Sequence, residues 1–318
     1  MAKYRHGLPP TRGERLLTDG GMETTLIFLE GIELPHFASF VLLSTPEGRQ
    51  KLKDYYVPYL EIAGKAGSGF MLDSATWRAN PDWGEKLGYD AAALKAVHEE
   101  AIGLLAELRT EYERPGRPIV LSGAIGPRGD GYKAGNMNAA EAEDYHAAQV
   151  ANFAATDADL VSAVTLTNVD EAIGVARAAR RHDIPCVIAF TVETDGRLVT
   201  GKTMQEAIEA VDAATNGYPL YYMINCAHPS HFSDALDPGS AWIKRIGGIR
   251  ANASTMSHQE LDESETLDAG DPADLGRRYQ DLVGRMPQLR VLGGCCGTDH
   301  RHISAICAAC MPQSAMSA

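Results

Sequence analysis

The sequence predicts a (β/α)8 barrel. Eight short apolar runs alternate with helical stretches along 318 residues, the rhythm of parallel strands joined by helical crossovers. That length suits a closed barrel of about 250 residues carrying insertions. The alternative is an open doubly wound sheet. It loses ground because no Gly-x-Gly-x-x-Gly fingerprint follows the first run. No linker, low-complexity block or shift in composition divides the chain, which reads as one domain over residues 1–318.

The first run is LLT, from Leu16, and it ends in the turn Asp19-Gly20-Gly21. His36 to Tyr59 reads as an insertion packed over one barrel end. The second run is GFML, from Gly69. Asp90 to Tyr112 is rich in Ala, Leu and Glu and predicts a helix. PIVLSGAIG, from Pro118, is the third run, and DLVSAVTL, from Asp159, the fourth. Asn138 with Glu141 and Asn168 with Glu171 are loose helix-start signals on either side of that fourth run. PCVIAFTV, from Pro185, is the fifth. Thr203 followed by Glu206 has capping-box spacing, in which each side chain serves an orphan backbone N–H of the other residue. Gly217 suits the end of that helix. PLYYMINC, IGGIRANAS and LRVLGG supply runs six to eight, and HISAICAAC reads as the last barrel helix.

Composition narrows the function. Apolar residues make up 45% and charged residues 22%, enough apolar content for a sizeable core. A formal charge of −13 repels phosphates and argues against nucleic-acid or anionic-membrane partners. No stretch of about 18 apolar residues offers a membrane span. The polar segment MAKYRHGLPPTRGER has no apolar signal core. The expectation is a cytoplasmic protein whose six cysteines are thiols or metal ligands rather than a disulfide framework. A homo-oligomer is compatible with the sequence, which leaves oligomeric state open.

The cysteines are the most informative residues. Cys295 and Cys296 follow two glycines directly after the eighth run, and Cys226 ends the sixth. A barrel collects its chemistry at the C-terminal ends of its strands, so the topology can bring these distant residues together. Three thiolates suit zinc, and three protein ligands leave a fourth tetrahedral position for a substrate. A thiol bound there is held as a thiolate able to attack a methyl group on a cationic donor. Gly293, Gly294 and Gly297 permit the tight backbone this needs. Two other readings stand beside it. The cysteines could be buried small hydrophobes. Alternatively, Cys307 and Cys310 could close a local structural zinc site with Cys295 and Cys296, giving a noncatalytic or thiol-sensing protein.

From about Leu16 to Ile306 the chain resembles the zinc-dependent homocysteine S-methyltransferase family. The motifs that carry the resemblance are DGGMET (19–24), SGAIGPRG (122–129), AFTVETDGRLVTG (189–201), INCAHP (224–229) and GGCCGT (293–298). It implies a barrel with one catalytic zinc on Cys226, Cys295 and Cys296. It also implies that Asp19 helps bind the amino-acid part of homocysteine, with the amides of Gly20, Gly21 and Met22 facing the carboxylate. Asn225 would orient the neighbouring ligand or simply close the strand end. The implied partners are a small thiol acceptor, homocysteine, which becomes methionine, and a small methyl donor. S-methylmethionine is the default donor; betaine is disfavoured because the family's betaine branch has tyrosine where Thr165 stands. The chain is too short for added folate and cobalamin modules and carries no adenosylmethionine-type Gly-rich fingerprint.

Two departures from the family pattern stand out. The glutamate that holds the substrate ammonium in typical members is replaced by Val164. Asp19, Asp73 or Glu193 would have to substitute for it, or the acceptor or donor is a different small molecule. The seventh run carries Arg250-Ala251-Asn252-Ala253-Ser254, where Arg250 could contact an anion, pair with a carboxylate or stand solvated at the rim. Trp77 could form an aromatic wall beside a cationic donor, or pack at the barrel end with Arg78. His228 and His231, just after Cys226, could ligate metal or act as bases, or do neither.

Overall fold

The computed structural model describes residues 2–311; residues 1 and 312–318 of the expected domain lie outside the described residues. Eight parallel strands close into a barrel in sequence order. They are β1 (Leu16–Leu17), β2 (Gly69–Asp73), β3 (Ile119–Ile125), β4 (Leu160–Leu166), β5 (Cys186–Phe190), β6 (Tyr222–Asn225), β7 (Ile246–Ala251) and β8 (Val291–Gly294). Leu16 pairs with Gly69 on one side and Val291 on the other, and this closure removes the open-sheet alternative. Each strand coincides with one of the apolar runs.

The longer helices are the crossovers α1 (Pro46–Ala66), α2 (Ala91–Tyr112), α3 (Ala139–Ala154), α4 (Val169–Arg181), α5 (Met204–Thr215) and α6 (Pro272–Arg285), and α7 (His300–Cys310), which follows β8. Between β6 and β7 the chain forms only a short helix, Pro229–Phe232, and two 3-10 turns. Complete capping boxes start α5 at Thr203 and α3 at Asn138. At α4, Asn168 accepts from the Asp170 N–H instead, because Glu171 is drawn away to the Arg128 amide and His146. The turn after α5 uses two left-handed residues, Asn216 and Gly217. The expected insertion from His36 to Tyr59 needs correction. Its second half, from Pro46, is α1, the β1–β2 crossover, and only the preceding 3-10 turns belong to a loop. Among the described residues no helix is long and apolar enough to cross a membrane.

Strand alternation places the chemistry. Leu16, Met71, Val120, Leu160, Val187, Met223 and Val291 form one apolar cluster inside the barrel, while their neighbours Leu17, Phe70, Leu121, Val161, Ile188, Ile224 and Leu292 pack in the larger cluster that includes helix residues. Side chains alternate with period two along a strand. Two residues beyond the inner apolar layer therefore stand Asp73 and Asn225, with Arg250 beside Asn225 in register, at the end where barrels gather their chemistry.

Buried polar groups fasten the loops on that side. His98 on α2 is 1% exposed and meets the Ala79 carbonyl at 2.9 Å and Asn152 at 3.1 Å. Burial pulls its pKa down to about 4. The native state therefore holds this histidine neutral, whereas the unfolded chain protonates it near its ordinary value of about 6.5. Stability from this group is complete above that value and declines as pH falls toward 4. Thermal melts from pH 7 to pH 5 should show a falling Tm, with a shallower fall in His98→Gln; an unchanged slope in the variant would contradict the assignment.

Candidate active site and thiol centre

A cavity of ≈ 480 Å³ opens at the C-terminal ends of the strands, a size suited to small substrates. Its wall includes the expected Asp19, Gly20, Gly21, Met22, Asn225, Cys226, Cys295 and Cys296. The three cysteine sulfurs lie within 4.8 Å of one another and form the one cluster among the described residues suited to a metal. Cys307 and Cys310, both 8% exposed, instead pack into the apolar core from α7. Close approach of β8 to β1 demands glycine at 293, where a Cβ would collide with the Thr18 hydroxyl. Gly297 turns the chain with φ +77°.

One cysteine expectation is corrected. Cys226 and Cys295 are joined as a disulfide, with Cα atoms 5.3 Å apart, while Cys296 and the other three remain free. Converging strand ends bring the two backbones within ordinary disulfide range. In the reduced protein all three sulfurs are available as donors. The donor set fits zinc: Cys226 and Cys296 Sγ stand 3.9 Å apart, close to the edge of about 3.8 Å expected for a tetrahedron with Zn–S of about 2.3 Å. Burial raises the Cys296 pKa, so a bound cation is what would favour its thiolate.

Local structure holds these thiols in place. Cys226 adopts a left-handed backbone, φ +52°, as does Thr165, φ +61°, at the end of β4. Asn225 stitches the two strand ends: its Oδ1 accepts from the Thr165 amide at 2.9 Å and its Nδ2 donates to Thr165 Oγ1 at 2.9 Å. The same Nδ2 lies 4.0 Å from Cys295 Sγ. Asn225 thus ties the ends of β4 and β6 together and faces the Cys295 sulfur at once.

Arg250, on β7, is buried at the mouth of the barrel. Its Nη2 donates to Asp19 Oδ1 at 2.6 Å, Nη1 pairs with Asp73 Oδ2, and Nε donates to the Gly294 carbonyl at 3.1 Å. It is an internal counter-ion rather than a solvated rim charge. Tyr55 from α1 donates to Asp19 Oδ2 at 2.9 Å. Burial pushes the Asp19 carboxyl up to about 6, with Arg250 opposing the shift. Asp73 Oδ1 is buried without a hydrogen-bond partner.

Other expected residues take different places. The Gly21 N–H, expected to face a carboxylate, donates to the Thr298 carbonyl at 2.9 Å. Trp77 is on the wall, but its ring lies against the chain's own Arg78, whose guanidinium carbon is 4.2 Å from the Trp77 centroid and 3.9 Å from that of Trp83. His228 caps the helix Pro229–Phe232 and His231 meets the Thr255 carbonyl; neither is on the cavity wall. Glu193 contacts His258 Nδ1 at 3.1 Å.

The sequence reading missed Glu23, Tyr132 and His258. Glu23 lines the cavity, accepts from Ser39 at 2.7 Å, and has its pKa raised by burial. Its position in DGGMET was the available signal. Tyr132 brings its hydroxyl to 3.6 Å from Cys296 Sγ, and nothing in its surrounding sequence announces that contact.

Together these features define a barrel protein with a three-sulfur centre at the face where such folds act. The family model for homocysteine S-methyltransferase matches residues 16–310, and the chain belongs to that family. It is therefore a methyltransferase. Comparison with curated proteins gives no significant match. Among solved structures, the metallated form of the homocysteine methyltransferase MmuM from Escherichia coli aligns with TM-score 0.71 at 20% identity, covering 94% of this chain and 99% of that one. Its oxidised form aligns with TM-score 0.70 at 22% identity over the same shares. At these identities the likeness concerns the fold.

Proposed function

We propose that this protein transfers a methyl group from a small sulfonium donor of the S-methylmethionine type to the thiol of homocysteine, giving methionine, in the cytoplasm. Cys226, Cys295 and Cys296 would hold a zinc ion. The convergence of three sulfurs on the wall of one small-molecule cavity carries this reading. Zinc, when bound, would keep the acceptor sulfur as a thiolate at neutral pH.

The chain's own residues support the remaining steps. Six carboxylates line the cavity (Asp19, Glu23, Asp73, Asp130, Asp262 and Asp268) against two guanidiniums, Arg78 and Arg250. Such a wall attracts a cationic donor. Asp19, Asp73 and Arg250 sum to one negative charge when both acids are ionised, and this supplies a partner for the acceptor ammonium that Val164 cannot hold. Phe28, Phe37 and Leu267 add apolar wall to the cavity. The thiolate attacks the methyl carbon, and the donor C–S bond breaks with its electron pair passing to the departing neutral thioether. Orientation of the two sulfurs about that carbon is the main contribution of a shaped cavity.

A second reading keeps the chemistry and changes the acceptor to another small thiol. Val164 lies on the cavity wall, and Asp19 already accepts from both Arg250 and Tyr55. Reduced, zinc-loaded protein incubated with a panel of thiols and methyl donors, with products identified by mass spectrometry, separates the two. Methylated homocysteine supports the first reading; methylation confined to a thiol without an α-ammonium supports the second.

Asp19→Asn should raise KM for homocysteine at least about tenfold, the loss expected for a charged hydrogen bond, while the donor KM stays within about twofold. Because Asp19 ionises near 6, KM for homocysteine in the parent protein should climb as pH falls through that value. Equal KM increases for donor and acceptor would contradict this role.

A further inference from the structure

Cys226 is the ligand candidate contributed alone, from a strand end remote in sequence from the Cys-Cys pair. Its left-handed backbone, φ +52°, is uncommon and costly for a residue with a Cβ. Such a turn persists when its surroundings over-determine it. Here the surroundings converge on one atom, the Cys226 carbonyl oxygen. His258 Nε2 lies 2.6 Å from it, Asn252 Nδ2 3.1 Å and Thr191 Oγ1 3.2 Å. A carbonyl only accepts, so His258 Nε2 carries the proton in this contact. The three donors come from the segments after β5 and β7 and from the short helix His258–Asp262. His258 is 8% exposed, and its other ring nitrogen faces Glu193 Oε1 at 3.1 Å.

The same imidazole reaches the second ligand candidate. Its ring centroid is 4.3 Å from that of Tyr132, whose hydroxyl lies 3.6 Å from Cys296 Sγ. One buried side chain is therefore linked to both remote cysteines, through the backbone of one and through an aromatic neighbour of the other.

We propose that His258 is a positioning residue for the thiol centre, which holds the Cys226 carbonyl in its left-handed turn and so aims the Cys226 sulfur at the Cys295–Cys296 pair. This rests on the reading that the three thiols hold zinc. His258 is not itself a ligand in this assignment, because its Nε2 is committed to the carbonyl and its Nδ1 faces Glu193.

The test measures zinc affinity of the reduced full-length protein by competition with a chromophoric chelator, alongside the thiolate-to-metal charge-transfer band of the cobalt(II) form. His258→Ala should weaken zinc binding 10–100-fold, the range for partners that orient a ligand, and shift the cobalt band. His258→Gln, which can still donate to the carbonyl, should stay within about threefold of the parent. Should His258→Ala not fold, Thr191→Val removes another donor to the same oxygen with little change of shape, and should weaken zinc binding several-fold at unchanged Tm. A folded His258→Ala variant that binds zinc as tightly as the parent overturns the proposal, as does equal loss in the Ala and Gln variants or unchanged affinity in Thr191→Val. A reduced parent protein that binds no stoichiometric zinc overturns the metal-site reading itself, and this proposal with it.

Discussion

Cys226→Ala is expected to lose stoichiometric zinc and, with it, turnover. Cys226 is one of three sulfurs within 4.8 Å, and two remaining thiols from one loop cannot enclose a tetrahedral ion. Disturbing residues that merely orient a ligand costs 10–100-fold in metal affinity, so losing a ligand should cost more than about 100-fold. Cys307→Ala and Cys310→Ala provide the contrast. Both thiols pack in the apolar core and lie outside the metal-suited cluster, so each variant should keep full zinc and activity. Metal analysis on reduced, desalted protein together with methyl-transfer assays reads both results. Zinc retained by Cys226→Ala but lost from Cys307→Ala would move the site to the C-terminal helix.

Arg250→Met is expected to be the most damaging change to stability at neutral pH. The guanidinium is buried between Asp19 and Asp73, and its removal leaves two buried carboxylates facing one another. Breaking a buried pair in this way costs about 3–5 kcal/mol, because the surviving charge has no partner. The penalty has a predictable pH dependence. Without the cation that opposes its upward shift, the Asp19 carboxyl titrates higher still, and a protonated carboxyl needs no counter-ion. The loss should therefore be fullest at alkaline pH, above the raised Asp19 value of the variant, and shrink as pH falls through that value toward the parent's, near 6. Urea midpoints of parent and variant across that range would show it. A constant gap would contradict the role of Arg250 as internal counter-ion.

These expectations depend on features that differ in how far the sequence exposed them. The barrel was legible because each strand is buried on both faces and reads as an apolar run, from LLT to LRVLGG. The three cysteines were legible because their strand-end positions follow from that count. The first crossover was misjudged because α1 contains Tyr55, Tyr56, Pro58 and Tyr59, which weaken its helical signature. Those tyrosines serve the barrel mouth: Tyr55 donates to Asp19, and Tyr56 to the Asp73 carbonyl. The pairing of Arg250 with two aspartates depends on register across the barrel, which residue spacing does not reveal. Tyr132 reaches Cys296 from the segment between β3 and α3, and His258 reaches the Cys226 carbonyl from a short helix after β7, and neither contact is set by strand or helix periodicity. The commitment of the Gly21 N–H to Thr298 likewise depends on how two loops meet.

The central claim is that three cysteines bind one metal and leave a position for an incoming thiol. Zinc K-edge X-ray absorption on the reduced, zinc-loaded protein tests it directly, with and without homocysteine. The expected spectrum shows three sulfurs at about 2.3 Å and one lighter atom, and the lighter atom gives way to a fourth sulfur when homocysteine is added. A shell of four sulfurs already complete without the thiol, or a shell unchanged by it, would contradict the claim.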